Sequence, residues 1–288
     1  MASELGRDLA AAEAAIRAGE PKAALGSLTA AVKAAPSKVD LRIFLAQVLC
    51  VLGQWERAHT QLNVIADMDP SAGPMREMVG HALRCEKIRS AVFSGRRSPM
   101  IFGEPETWLA TLIESMLREG AGEGALAQSL AAQAFEAAPA SRGSIDGTPF
   151  EWIADADSRL GPVLEAMVNG RYYWVPFSRL AGVEIEAPTD LRDMVWLPAQ
   201  LRFANGGEAI AMLPTRYPGS ELSGDGQIAM ARKTEWHEAQ SGSDRWLGLG
   251  QRVFVTDLGE HDLLSIRSIA IGATESEAAS EPTAAGHG

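Results

Sequence analysis

Apolar positions follow a helical period through the first half of the chain and short strand-like blocks through the second. Gly19, Ala24, Leu28 and Pro36 return as Gly53, Ala58, Leu62 and Pro70, each 34 residues later. That is the period of a tetratricopeptide helix-turn-helix. A glycine closes the first helix of a unit, an alanine lets the second approach its neighbour, a leucine fills the space between them, and a proline stops the unit. Gly122, Ala127 and Pro139 repeat the second set 69 residues on, which predicts a third, degenerate unit after an insertion. Within the insertion, Met78, Val79, Ala82, Ile88 and Val92 predict a long helix from about Pro74, and Trp108, Leu109, Leu112, Ile113, Met116 and Leu117 another after Pro105. Stacked units leave a concave surface lined by the first helix of each. In this register Glu13, Arg17, Asp40, Ile43 and Gln47 face it, a mixture of charge and apolar area that suits an amphipathic partner helix. The competing reading is a groove filled by the protein's own later helices.

The stretch from Phe150 to Phe177 is where the period changes from 3.6 to 2. Gly161-Pro162 reads as an N-cap and first helical position, Val163, Leu164, Met167 and Val168 as an apolar face, and Asn169-Gly170 as a stop. These predict a short helix at about 162–169. Arg171-Tyr172-Tyr173-Trp174-Val175 then reads as a strand ended by Pro176. Residues 194–203 form a further strand, which Pro198 would confine to a sheet edge or a bulge, and Asn205-Gly206-Gly207 turns it into 209–213. Strands at 228–236, 252–256 and 263–269 follow. The expected class is a multidomain α+β chain: a TPR-like helical domain over 1–140, a small antiparallel β barrel or roll over 141–271, and a disordered tail over 272–288.

Of 288 residues, 46% are hydrophobic and 22% charged, a composition able to bury a core. The start of the chain lacks the basic and apolar segments of a signal peptide, which points to the cytoplasm. No apolar run approaches the roughly 18 residues of a membrane span, so no direct membrane insertion is expected. Net charge is −11. Fourteen of the 26 Lys and Arg and 16 of the 37 Asp and Glu lie in residues 1–140, leaving 12 against 21 beyond them. Such acidity disfavours nucleic acid. Arg84, Lys87, Arg89, Arg96 and Arg97 form a local basic run, read as a solvated face near a helix C-terminus, with an acidic partner as the alternative. Cys50 and Cys85 have no metal-ligand spacing and read as buried thiols.

Asp155 and Asp157 are the obvious candidates for chemistry, since paired carboxylates can bind a divalent metal or divide acid and base roles. Their position before the expected short helix favours capping instead, with Arg159 as an ion-pair partner. None of the five histidines has metal-ligand spacing with another, Gly248-Leu249-Gly250 has no following Lys-Ser/Thr, and no nucleophile motif is present. No catalytic residue, metal or cofactor is therefore assigned; a metal-dependent enzyme using Asp155 and Asp157 is the alternative. Tyr172, Tyr173, Trp174, Trp196, Trp236 and Trp246 gather in the strand half, partly as core and partly as a candidate recognition patch.

The segments WIADADSRLGPVLEAMVNGRYYWVPF, DLRDMVWLPAQLRF, LPTRYPGS and GLGQRVF, in that order, resemble the ImpE family, also called TagJ or SciE. The resemblance runs from about Leu5 to about Ile269. It implies a cytoplasmic accessory protein of bacterial type VI secretion, associated with the contractile sheath through the N-terminal helical region of its small subunit TssB and with the ClpV ATPase that disassembles the sheath. The family motif is matched at Trp152, Asp155, Asp157, Arg159, Tyr172, Trp174, Pro176, Trp196 and Pro198, residues expected to organise the fold and the domain junction. A generic repeat scaffold for a different partner is the remaining alternative.

Overall fold

A computed structural model describes residues 2–240 and 243–272; the expected tail lies, Gly272 apart, outside them. Seven helices come first: α1 Ala2–Ala18, α2 Pro21–Ala34, α3 Val39–Val51, α4 Trp55–Met68, α5 Gly73–Phe93, α6 Thr107–Gly120 and α7 Gly124–Ala137. The pairs α1/α2, α3/α4 and α6/α7 are hairpins, and each turns through a glycine of the repeat pattern with positive φ, Gly19, Gly53 and Gly122. Ala24, Leu28, Ala58, Leu62 and Ala127 are buried, as the repeat register requires.

The short strand β1, Met100–Ile101, lies between α5 and α6; the remaining strands run from residue 143 onward. They are β2 Gly143–Ile145, β3 Thr148–Phe150, β4 Ile153–Asp155, β5 Val163–Val168, β6 Arg171–Pro176, β7 Leu180–Ile185, β8 Trp196–Phe203, β9 Glu208–Pro214, β10 Thr234–Glu238, β11 Trp246–Gly250, β12 Val253–Thr256, β13 Gly259–Asp262 and β14 Ser268–Ile271. One helical turn, α8 Gly226–Ala229, precedes β10, where a strand from 228 was expected. Nine strands form one sheet in the order β1-β6-β5-β9-β8-β7-β14-β2-β3; β13-β12-β4 and β10-β11 form two smaller ones. All ladders are antiparallel except β1 with β6. Among the described residues β1 and β3 are not paired to each other, so the large sheet does not close into a barrel.

The expected helix at 162–169 is instead strand β5, buried at every position. Val163, Leu164, Met167 and Val168 satisfy the helical spacing and equally that of a strand covered on both faces. Asn169 and Gly170, with φ of 49° and 72°, form the two-residue turn of the β5–β6 hairpin rather than a helix stop. Pro198 likewise lies in an interior strand, since β8 pairs with both β7 and β9. Its carbonyl accepts from Glu186 N where the β7 ladder ends, and its missing N–H faces that same side, so no ladder bond is lost.

The large sheet buries apolar side chains on both faces. One face carries Val163, Met167, Tyr172, Trp174, Trp196 and Met212 into a core shared with the helices. The other carries Leu164, Ala166, Val175, Leu197, Ala199 and Leu213 into a second core closed by Phe254, Leu263 and Ile266. Alternate residues of β5 and β6 therefore belong to different cores, the period of two of strands buried on both faces.

Candidate functional site

The face of the sheet turned toward the helices also buries charge. Glu165 follows the strand alternation between Val163 and Met167 and so points at α5, where Glu86 and Arg89, one turn apart, point back. Arg89 donates twice to Glu165, from Nε to Oε1 at 2.7 Å and from Nη2 to Oε2 at 3.0 Å, and Nη2 also reaches the Arg216 carbonyl at 2.8 Å. Arg252, just before β12, donates to Glu165 Oε2, to Asp155 Oδ2 at 2.5 Å and to the Pro214 carbonyl at 3.0 Å. Tyr172 Oη donates to Glu165 Oε1 at 2.5 Å and accepts from Trp174 Nε1 at 2.8 Å. Glu86 accepts from Trp196 Nε1 at 2.8 Å. Glu165 is thus gripped by two guanidiniums and a phenol, at 1% exposure.

Two flanks extend this centre. Asp155 Oδ1 accepts from Tyr217 Oη at 3.0 Å and from Asp157 N at 2.9 Å. Asp157 accepts from Arg159 Nε at 2.8 Å and Nη2 at 2.5 Å, and from Gly248 N at 2.8 Å. On the other side, Arg216 donates to the carbonyls of Val51 at 2.6 Å, Cys50 at 3.0 Å and Ala229. It thereby caps the last turns of α3 and α8 from the strand half, a cation at the negative end of each. Four guanidiniums (Arg89, Arg159, Arg216, Arg252) meet four carboxyls (Glu86, Asp155, Asp157, Glu165). Buried charges persist only when paired and hydrogen-bonded in this way.

The local fields follow from the geometry. Burial alone would raise the Glu165 carboxyl, but Arg89 and Arg252 outweigh it and hold it at about 2. Asp155 goes the other way, pushed up to about 6 by burial and by Asp157 against the pull of Arg252. Burial also raises Glu86 against the pull of Arg89. Burial and the Glu165 charge raise the Tyr172 phenol well above its ordinary value, so it remains a donor. Cys50 and Cys85 are free, buried thiols pushed up by burial to about 12 and about 11, which removes them as nucleophiles at neutral pH.

The structure thus gathers Asp155, Asp157, Arg159, Tyr172, Trp174 and Trp196 into one constellation. Pro176 ends β6 in the buried layer, Pro198 is half-buried, and Trp152 stands 38% exposed beside β4. Asp155 and Asp157 cap no helix, since strand β5 follows them; their oxygens are filled by arginine, tyrosine and backbone donors. The basic run is also corrected at one position. Arg84, Lys87, Arg96 and Arg97 are exposed, whereas Arg89 turns inward to Glu165. Glu86, Glu165, Arg216, Tyr217 and Arg252 were not singled out from sequence. The available signal was the placement of Glu165 inside an unbroken apolar run and of Arg89 in the apolar row Ala82, Cys85, Val92. Among the described residues no group of three His, Cys, Asp or Glu is placed to hold a metal ion, and no helix is long and apolar enough to cross a membrane.

The groove candidates divide. Glu13 and Arg17 stand exposed on α1, 4.0 Å apart, and Asp40 is exposed in the first turn of α3. Ile43 and Gln47 are half-buried and share a small cavity with Cys50, Leu62, Asp190 and Arg192. Here a 3-10 turn at Leu191–Met194 packs onto α3 and Leu191 joins the helical core. This end of the groove is occupied by the protein's own later chain.

The fold and this junction define a class: a tetratricopeptide-type repeat half whose core is completed by a β-rich half through a buried ionic cluster. The tetratricopeptide repeat model matches residues 15–77 and the ImpE protein model residues 147–270. The chain is 49% identical over 258 residues to the type VI secretion system accessory component TagJ of Pseudomonas aeruginosa, covering 90% of each chain. A crystal structure of a Vibrio parahaemolyticus protein, 24% identical, has the same fold, with a TM-score of 0.83 over 93% of this chain and 98% of that one. The chain belongs to the ImpE family.

Proposed function

We propose that this protein is a non-enzymatic, cytoplasmic accessory component of a bacterial type VI secretion system. In this reading it is an adaptor that binds a helical segment at the N-terminus of a TssB-like sheath subunit and assists sheath disassembly by a ClpV-type ATPase. The observation that carries it is the identity to the Pseudomonas accessory component along 90% of both chains. The internal pairing of Glu165 and of Asp157 adds support, because each of these carboxylates already accepts four hydrogen bonds from protein donors, as many as its lone pairs allow. The boundary near residue 140 then separates a unit that receives the partner from one that braces it. Glu13, Arg17 and Asp40 are the accessible polar members of the receiving surface, with Ile43 and Gln47 at its covered end.

Calorimetric titration with a peptide from the N-terminal helix of the sheath small subunit of the same organism tests the adaptor. Saturable binding is expected, and its loss in Glu13→Lys/Asp40→Lys with an unchanged melting curve is the expected signature of the groove. Absence of binding by the wild type would refute the peptide as ligand. Full binding by the variant would remove the groove.

A further inference from the structure

The helical layer stops before the sheet does. Met212, Ile210 and Glu208 on β9 and Trp196, Pro198 and Gln200 on β8 form neighbouring rows on the face turned toward the helices, in the register Pro198 opposite Met212 and Gln200 opposite Ile210. The helices cover the inner end of both rows. One step outward along β9, exposure climbs from 8% at Met212 to 71% at Ile210. Two adjoining depressions follow this uncovered half-face and share Pro198 and Ile210 as walls. One, of about 440 Å³, lies against α5 and includes Met78, His81, Met167 and Met212; the other, of about 320 Å³, reaches Glu184 on β7 and Glu186 just past its end.

The strands here are interior. β9 is paired with β8 along its length and with β5 at Met212 and Ala211, and β8 is paired with both β7 and β9, so an added strand would find no free ladder groups on β8. An occupant must therefore present side chains, as a helix does. The distance across β7 to β9 is two strand spacings, about 10 Å, close to the 10–12 Å diameter of one helix. Three methionines make the inner wall adaptable. The rim is acidic. Glu77, Glu184, Glu186 and Glu208 are exposed around it, Arg202 faces Glu184 at 3.6 Å, and the Arg267 guanidinium is engaged with the carbonyls of Ile266 and Leu264. Neither Glu77 nor Glu186 has an ion-pair partner among the described residues.

We infer that this half-face is a second docking surface, separate from the repeat groove, that takes one amphipathic helix of a partner protein with its apolar stripe on Ile210 and Pro198 and lysine or arginine on both flanks. The helix lies beside α5 and continues the helical layer over the sheet.

The probe is a fluorescent peptide of about four helical turns, with Leu and Met at i, i+3, i+4 and i+7 and Lys on the flanks, titrated by anisotropy into the full chain; a twin carries Glu on the flanks. The Lys peptide should bind saturably and the Glu peptide should not. Ile210→Asp should weaken binding by about tenfold or more, as loss of a central apolar anchor does. Glu77→Lys/Glu186→Lys, confined to exposed positions, should weaken it independently and make the remainder less sensitive to salt. Glu13→Lys/Asp40→Lys should leave it unchanged. Equal binding of the two peptides, no binding of the Lys peptide, or unchanged affinity in Ile210→Asp would overturn the inference, as would loss of binding in the Glu13/Asp40 variant, which would move the helix to the repeat groove. A wild-type dimer in sedimentation that Ile210→Asp dissociates would make a second copy the occupant and overturn it as well.

Discussion

Arg252 serves two carboxyls, and only one of them is held far below its ordinary range. Glu165 sits at about 2 and Asp155 at about 6. When folding raises a carboxyl from 3.8 to about 6, the unfolded chain releases its proton first as pH rises. Asp155 therefore stabilises the fold fully below about pH 4 and loses that contribution by about pH 6, an effect of up to about 3 kcal/mol. Glu165 has the opposite sign: its contribution is present above its ordinary value of 4.5 and is lost as pH falls toward 2. Urea midpoints at pH 4.5 and 6.5 should show wild-type stability declining with pH and Asp155→Asn declining much less. An identical decline in both would mean that Asp155 is not its source.

At the scale of elements, the β5–β6 hairpin shows which signals the sequence carried and which it left ambiguous. The repeat helices were legible because glycine, alanine and leucine recur at fixed spacing, and each has one physical task. Strand β5 was not, because its four apolar residues fit two periods, and the Asn-Gly that follows can end a helix or turn a hairpin. Its length of six residues between Gly161-Pro162 and Asn169-Gly170 was the better guide, since helices are usually longer. The turn itself is testable. Gly170 has φ of 72°, and a Cβ there would come within 3.0 Å of the His81 ring, whereas Gly206, with φ of 84°, faces open space. Gly206→Ala should cost about 1 kcal/mol for the backbone alone. Gly170→Ala should cost more, and thermal melts of the two variants separate backbone strain from the contact between hairpin and helix. Equal costs would mean that His81 simply gives way.

At the scale of the whole molecule, the strand half supplies the helical half with part of its core. Trp174, Trp196 and Met212 pack among residues of the helices, Trp55 lies 5.8 Å from Trp196 between ring centroids, and Arg216 caps α3. A fragment ending at residue 140 is thus expected to lose cooperative unfolding followed by circular dichroism, although its repeat sequence is intact. A sharp transition at the wild-type temperature would contradict this. The sequence placed Asp155, Asp157, Arg159, Tyr172, Trp174 and Trp196 at a junction through the family motif, yet it could not reveal their partners. Glu165 pairs with arginines 76 and 87 residues away, and no local period records such a pairing.

That separation also has a meaning in time. Arg89 emerges from the ribosome well before Glu165, and Arg252 later still. At about 5–20 residues per second the interval from Arg89 to Arg252 is on the order of ten to thirty seconds. During it, α5 carries a charged and apolar face whose counterparts have not been made. The newborn repeats must remain soluble by other means until translation of the strand half supplies the missing charges.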